Sequence, residues 1–519
     1  MYSFFGVSYF SNLLSVHTLI IYVLIVSVLI TGNVYSFLFQ RVLSNCAAII
    51  MLMSSYLVFN DDLLINNFLN FNNSVLNDYL SFFTKLQLFL FSTFYFLVNS
   101  DFFKEQKLIS FEYLLIVMFS ILGFLLMCSS SDLLTSYLSI ELSAFSLYIL
   151  ASFNKMSSYS VDSAIKYYIT GAVSSAFYLL GSSFIYGSSG SIYFSDFYNL
   201  YISSNIYINN NFEFYNIWSI QQFDLLNFSD IIVKFNFLEF GVSLLVISLF
   251  IKIALAPFHL WSVDVYEDSP TSSTFFFAVF TKLSVFILLL RICYYSFINL
   301  KNCWQFYSIL AGFLSIFTGA VAGITQRKIK SLLAYSSVSH MGYLLIAFST
   351  ASCLGIQMLL FYLFFYMFSG LCIWYIFLLL KIKKKYLKIK YSKELSDLIL
   401  LKNSNSGLAL CLALIMFSIA GIPPIIGFLA KISVFLTVIG ASFFIVAVIS
   451  ILCSLVSTLY YIRIIKILYF ENVLVGKLYF PINSTKTIVL SFFNFFLVYM
   501  FINPTFLYLI SYRSVFLFC

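Results

Sequence analysis

Residues 245–261 read LVISLFIKIALAPFHLW. The run is apolar enough to cross a bilayer, yet it holds Lys252 near its centre, then Pro257 and His259. A lysine at the middle of a membrane helix costs about 2.5–3.5 kcal/mol on insertion scales, and an interior proline removes a helical hydrogen bond. Such a segment is tolerated where protein or water satisfies both the ammonium and the freed carbonyl. It therefore predicts a broken helix that lines a polar path.

The rest of the chain places that segment in a membrane. Of 519 residues, 62% are apolar and only 9% charged, and the mean hydropathy is +0.99. A soluble domain of this size needs far more charge to wet its surface. Apolar runs recur from end to end and predict an all-α, polytopic membrane protein of about 14 transmembrane helices. They fall at 17–38, 44–59, 78–98, 111–129, 131–151, 164–187 and 237–260. The second set is 271–292, 304–324, 329–349, 355–380, 407–439, 440–468 and 487–511. Residues 188–235, rich in Asn, Ser and Tyr, are the one long polar interruption.

The basic residues fit this numbering. Loops after odd-numbered helices carry QRKIK at 326–330 and KIKKKYLKIKYSK at 381–393, whereas loops after even-numbered helices carry only Lys234 and Lys301. By the positive-inside rule the odd loops face the cytoplasm or matrix. The N-terminus has no basic region before its first apolar run, so it resembles neither a secretory signal nor an Arg-rich presequence. Heavy use of Phe, Tyr, Ile and Asn suits A+T-rich codons such as those of organellar genomes.

Cofactor chemistry finds no foothold. The nine cysteines form no CxxC pair and no Cys/His cluster, so no disulfide framework, zinc site or iron–sulfur site is expected. No Gly-rich phosphate loop and no Ser/His/Asp set presents itself, and nothing suggests nucleic-acid binding.

What remains is charge inside the predicted helices. Lys85, Arg291 and Arg513 lie near helix ends, where long side chains snorkel to the interface. The other intrahelical cations are Lys166, at the start of its helix, Lys252, Lys282 and Lys431, and among the acids only Glu141 lies well inside a helix. Glu141 sits about ten residues, roughly 15 Å, from either end of its helix. Lys166 follows Asp162 by four residues, which reads either as a shallow ion pair or as a cation serving Glu141. Lys252 and Lys282 lie at similar depths on adjacent antiparallel helices. Two ammonium groups close together in low dielectric cannot both stay charged cheaply, so they are candidates for proton exchange. His259 lies seven residues after Lys252, near the same face if the proline kink is modest; by itself it reads as an interfacial hydrogen bond. The pattern returns at 412–440, where GIPP (421–424) interrupts an overlong apolar run and Lys431 follows. His340, in SSVSHMGYLL, is a further relay candidate between these sites. Two proline-broken helices with buried lysines suggest inverted-repeat transporter architecture.

These motifs resemble a known family. DLLTSYLSIELSAFSLYILASF (132–153), AIKYYITGAVSSAFYLLGSSFIYG (164–187), IKIALAPFHLWSVDVYEDSPT (251–271), KIKSLLAYSSVSHMGYLL (328–345) and MFSIAGIPPIIGFLAK (416–431) resemble the antiporter-like subunits of respiratory complex I. Residues 110–470 carry the resemblance. It implies inverted five-helix repeats at helices 4–8 and 9–13, with helices 7 and 12 broken. The corresponding divisions are 1–110, 111–293, 294–470 and 471–519. It also implies proton translocation across the inner mitochondrial membrane, coupled to quinone reduction in other subunits. Glu141 and Lys252 would form the central pair, modulated by Lys166, with Lys282 connecting and Lys431 on the exit side. His259 and His340 match relay or hydration positions. Lys431 favours the subunit 2 branch over the subunit 4 branch, where a Glu takes this place. NADH, FMN, iron–sulfur clusters and ubiquinone would belong to partner subunits and none to this chain. Neighbouring membrane-arm subunits and lipids such as cardiolipin would be its contacts.

Two other classes fit parts of the pattern. A cation/proton antiporter of the related multisubunit type shares the scaffold, and association with a redox enzyme discriminates. A purely structural subunit, with charges that lock helix packing, predicts that Lys252→Ala impairs assembly rather than coupling.

Overall fold

The computed structural model describes residues 37–59, 68–70, 73–99, 111–199, 225–383, 389–399, 401–471, 479 and 484–515. From the N-terminal side, α1 (Phe37–Phe59) leads through an antiparallel hairpin, β1 (Phe68–Asn70) and β2 (Val75–Asn77), to α2 (Tyr79–Asn99). Next come α3 (Phe111–Ser129), α4 (Leu133–Ala151) and α5 (Ser158–Ser189). α6 (Leu225–Ile253) stops at a break, α7 (Leu260–Asp268) resumes, and α8 (Thr271–Leu290) runs into a π-helical turn at Arg291–Ser296. α9 (Lys301–Thr325), α10 (Ile329–Ser349) and α11 (Cys353–Leu379) precede a second hairpin, β3 (Lys381–Lys383) with β4 (Ile389–Tyr391). α12 (Ser406–Ala420) and α13 (Ile426–Gly440) flank the second break, followed by α14 (Phe444–Tyr469), α15 (Ser484–Ile502) and α16 (Thr505–Val515).

Among the described residues ten helices are long and apolar enough to span a membrane, or eleven if the bent pair α15–α16 is one span. The first predicted helix, 17–38, lies almost wholly outside the described residues, as does 200–224 of the polar interruption. The predicted span 487–511 is bent by 79° next to Pro504, whose ring keeps the preceding residue out of helical geometry. The predicted span 237–260 ends at Ile253, several residues before its proline. Two small hairpins outside the spans qualify the all-α reading. Seven of the described cysteines are free, but Cys353 is disulfide-bonded, contrary to the expectation of none.

Short polar residues at the helix starts fix the entries. The Asp132 carboxylate accepts the Thr135 amide at 2.6 Å to cap α4, Ser352 accepts from Gly355 at 3.1 Å to cap α11, and Asn405 accepts from Leu408 at 3.2 Å to cap α12. Many serines within the spans bond back to their own helix. On α4, Ser136, Ser139 and Ser143 donate to carbonyls three residues earlier at 2.8–2.9 Å, so these hydroxyls are satisfied within the helix and leave a small packing face. α8 and α10 form the centre, each 94% buried across its span, whereas α5 is 28% and α14 is 33% buried. The central pair carries Lys282 and His340.

Candidate functional site

The first break is built by the sequence that predicted it. α6 ends one residue after Lys252, Ala254 takes φ +66°, and the chain turns through Pro257 before α7 begins. The loss of helical bonds is met locally. The Ala254 amide and the Trp261 indole both donate to the Ile251 carbonyl, at 3.2 and 3.1 Å, and the Leu255 amide reaches Phe250 at 3.1 Å. Because the chain breaks rather than kinks, His259 does not continue the Lys252 face. Its partly buried ring stands 6.1 Å from that of Tyr335 on α10.

Lys252, partly buried at the last turn of α6, sits where the helix dipole favours a cation. Glu141 of α4 acts on its charge through space, though the two form no ion pair within 4.0 Å. Glu141 is itself partly buried, and its Oε1 has no hydrogen-bond partner among the described residues. No described contact joins Lys252 to Lys282. Lys166 is not with Glu141 either, and its partner is not Asp162. Its ammonium meets Asp264 of α7 at 2.5 Å, with both side chains about half exposed.

That bond belongs to a charged seam on the basic side. Lys328 pairs with Glu267, and Lys330 donates to the Ser269 carbonyl at 2.6 Å. The bond to Glu267 raises the Lys328 pKa, while burial, then Glu267, raises that of Asp268. α7 is thus tied to α5 and α10 through its carboxylates.

The buried centre is more connected. Lys282 is 3% exposed; its Nζ donates to Ser337 Oγ at 2.8 Å and lies 5.9 and 5.8 Å from the Tyr266 and Tyr366 ring centres. Such cation–π placement partly replaces lost water. One turn along α10, His340 Nδ1 meets the Tyr362 hydroxyl at 2.7 Å, and Nε2 meets that of Tyr461 at 3.3 Å. His340 is within electrostatic reach of both Lys282 and Lys431. A small cavity of about 30 Å³ lies beside His340, where Ser336, Ser337, Tyr366 and Ser369 share the lining with apolar residues such as Leu333 and Trp374. It has room for about one water beside the imidazole.

The second break repeats the first with a variation. Gly421 closes α12 at φ +78°, in the left-handed region that favours glycine. Lys431, on the following half-helix, reaches back and donates to the Ala420 carbonyl at 2.7 Å, while lying 5.7 Å from the Tyr343 ring centre. A Cβ on Gly427 would come within 1.7 Å of the Ser418 carbonyl oxygen, so only glycine lets the half-helices approach this closely.

Sequence reasoning missed a second buried charge cluster. Arg291 and Lys85 do not snorkel to lipid; they are 2% and 5% exposed. Arg291 Nη2 pairs with Asp78 at 2.6 Å and its Nε donates to the Cys128 carbonyl at 2.8 Å, while Lys85 donates to Asn77 at 2.9 Å. The available signal was Asp78, an acid at a helix start on the same membrane side as Arg291. The hydroxyl partners Ser337, Tyr362 and Tyr461 were also missed, because Ser and Tyr abound everywhere in this chain.

The family described as NADH:quinone oxidoreductase/Mrp antiporter, transmembrane, matches residues 130–457. NADH-quinone oxidoreductase subunit N of Pelagibacter ubique is 35% identical over 433 residues, covering 83% of this chain and 84% of that one. NADH-ubiquinone oxidoreductase chain 2 of Marchantia polymorpha is 32% identical over 449 residues, covering 86% and 85%. In fold, a chain of respiratory complex I from Thermus thermophilus matches with TM-score 0.74 at 22% identity, covering 95% of this chain and 98% of that one. A chain of the Mrp complex from Dietzia matches with TM-score 0.75 at 14% identity, covering 96% of each.

Proposed function

The chain belongs to the NADH:quinone oxidoreductase/Mrp antiporter family of membrane subunits, and from that premise we propose that it is the subunit 2 type component of NADH:ubiquinone oxidoreductase. In this role it translocates protons across the inner mitochondrial membrane while other subunits carry NADH, FMN, iron–sulfur clusters and ubiquinone. Residues 111–293 and 294–470 act as the two repeats. Adjacent antiporter-like subunits and lipids such as cardiolipin surround it.

The observation that carries this reading is the placement of His340. Both of its ring nitrogens meet hydroxyls, and it lies within electrostatic reach of Lys282 and Lys431. An imidazole can accept a proton at one nitrogen and release one at the other, so it can pass charge between groups that never touch. Glu141 sets the state of Lys252 through space: unit charges about 4 Å apart at an effective dielectric near 20 interact by roughly 4 kcal/mol, and the interaction weakens as they separate. A swing of Glu141 changes that interaction and drives a proton onward to Lys282 and Lys431. Lys166 modulates the first step through α7, and His259 hydrates its edge.

Native electrophoresis of mildly solubilised membranes, with an NADH-activity stain and mass spectrometry of the stained band, tests the assignment. Peptides of this chain in a large NADH-oxidising band are expected. Recovery only from a smaller, non-redox complex would instead make it a cation/proton antiporter subunit.

A further inference from the structure

We propose that Tyr460 and Tyr461 of α14 form a proton-uptake branch joining the basic face of the membrane to His340. The inference rests on the proton-translocating role proposed above. α14 is a peripheral helix, yet these two tyrosines are 1% and 0% exposed. Their rings lie 4.4 Å apart between centres. The Tyr460 hydroxyl donates to that of Tyr461 at 3.4 Å, and the Tyr461 hydroxyl meets His340 Nε2 at 3.3 Å.

The outer end of this chain lies near the basic loop. A Cβ on Gly323 would meet Tyr460 Cε1 at 2.9 Å, so the Tyr460 ring sits at the level of Gly323. Gly323 is in the last turn of α9, immediately before QRKIK. Arg463, one turn along from Tyr460, donates to the Ile324 carbonyl at 3.2 Å and fixes the same seam.

A buried tyrosine needs only some acceptor, and a backbone carbonyl suffices. Tyr294 ends that way on Phe348, and Tyr366 on Ala278. Those bonds are dead ends for a proton. Tyr461 instead bridges a second hydroxyl and an imidazole. With the His340 hydrogen on Nδ1, the order is uniform: Tyr460 donates to Tyr461, Tyr461 to Nε2, and Nδ1 to Tyr362. One proton taken up by the Tyr460 oxygen displaces its own to Tyr461, whose own proton moves to Nε2. Both hydroxyls end neutral, and His340 carries the added proton as imidazolium, hydrogen-bonded through Nδ1 to Tyr362. The two outer separations exceed the roughly 2.7–2.8 Å of a strong hydroxyl bond, so transfer requires a few tenths of an ångström of approach.

Tyr461→Phe and Tyr460→Phe remove the hydroxyls and keep the rings. In the assembled NADH-oxidising complex, Tyr461→Phe should lower proton-coupled quinone reduction several-fold while NADH oxidation by ferricyanide stays unchanged. The double variant should be no worse than Tyr461→Phe, because groups in series fail together, whereas packing losses add. Unchanged coupling in both single variants, alongside impaired coupling in Lys431→Met, would overturn the branch. Unchanged coupling in Lys431→Met as well would overturn the proton-translocating reading and the branch with it. If Tyr461→Phe does not assemble, Tyr460→Phe decides by the same readings.

Discussion

Lys431 donates to the carbonyl of Ala420 across the break between α12 and α13, at 2.7 Å. A cation thus stands at the C-terminal end of a half-helix, where the exposed carbonyls carry partial negative charge. Lys431 is 5% exposed, and its ammonium also lies 5.7 Å from the Tyr343 ring centre. The same atom therefore serves structure and charge, and the two roles can be separated. Lys431→Met keeps the stem and removes the donor, leaving a buried carbonyl unmet at a cost of about 1–3 kcal/mol. We expect moderately reduced assembly but a larger loss of proton pumping per complex. Lys431→Arg should restore assembly more than pumping, since guanidinium holds its proton too firmly to pass it on. Pumping in reconstituted vesicles, normalised to ferricyanide activity, measures the split.

Glycine at 427 is required by contact rather than by φ. A Cβ there would overlap the Ser418 carbonyl, whereas a Cβ on Gly440 would meet nothing within 4 Å. Gly427→Ala should force the half-helices apart and cost about 1–3 kcal/mol or more. Gly440→Ala, at the end of α13, should change stability by no more than about 1 kcal/mol. Heat-inactivation midpoints of the two variants compare them directly. Equal midpoints would mean that the close approach at the break contributes nothing.

The Lys166–Asp264 bond is short but exposed on both sides. Solvent screens an exposed pair, so Lys166→Ala should leave thermal stability almost unchanged. Its proposed role is to position α7 against α5, and that role passes through Asp264. Asp264→Asn should therefore reproduce whatever Lys166→Ala does to coupled activity. A loss in Lys166→Ala that Asp264→Asn fails to share would place the action of Lys166 elsewhere.

Much of the site was legible because membrane helices make charge conspicuous. Lys252, Lys282 and Lys431 stand out against apolar neighbours, and Pro257 and the GIPP stretch mark breaks that do form. Depth along a helix was legible too, since rise per residue is fixed. Azimuth and partner were not. Similar depth related Lys252 to Lys282, but it could not name Ser337 as the hydrogen-bond partner of Lys282. The four-residue spacing suggested Asp162 for Lys166, yet the broken seventh helix swings Asp264 into reach. The continuity assumed for His259 failed because Ala254 turns the chain before the proline. Hydroxyl partners such as Tyr362 and Tyr461 carry no sequence mark that separates them from the many other tyrosines.

Arg291 shows how the end-of-helix rule fails and how the correction can be tested. It lies one residue past α8, where snorkelling is the default, but the start of α2 brings Asp78 to 2.6 Å. The Cys128 carbonyl takes a second bond, so the guanidinium is neutralised and hydrogen-bonded inside protein. Removing one member leaves a buried charge without its counterion, at about 3–5 kcal/mol, whereas replacing both with apolar groups of similar volume is often neutral. Asp78→Leu and Arg291→Met should each sharply reduce the amount of assembled complex. The double variant should recover part of that loss, even though the Cys128 carbonyl loses its donor and the Ser81 amide loses the Asp78 acceptor. Quantitative native electrophoresis of the four proteins completes the cycle. Additive losses would mean that the two residues act independently, and a snorkelling arginine would show little effect when Asp78 alone is changed.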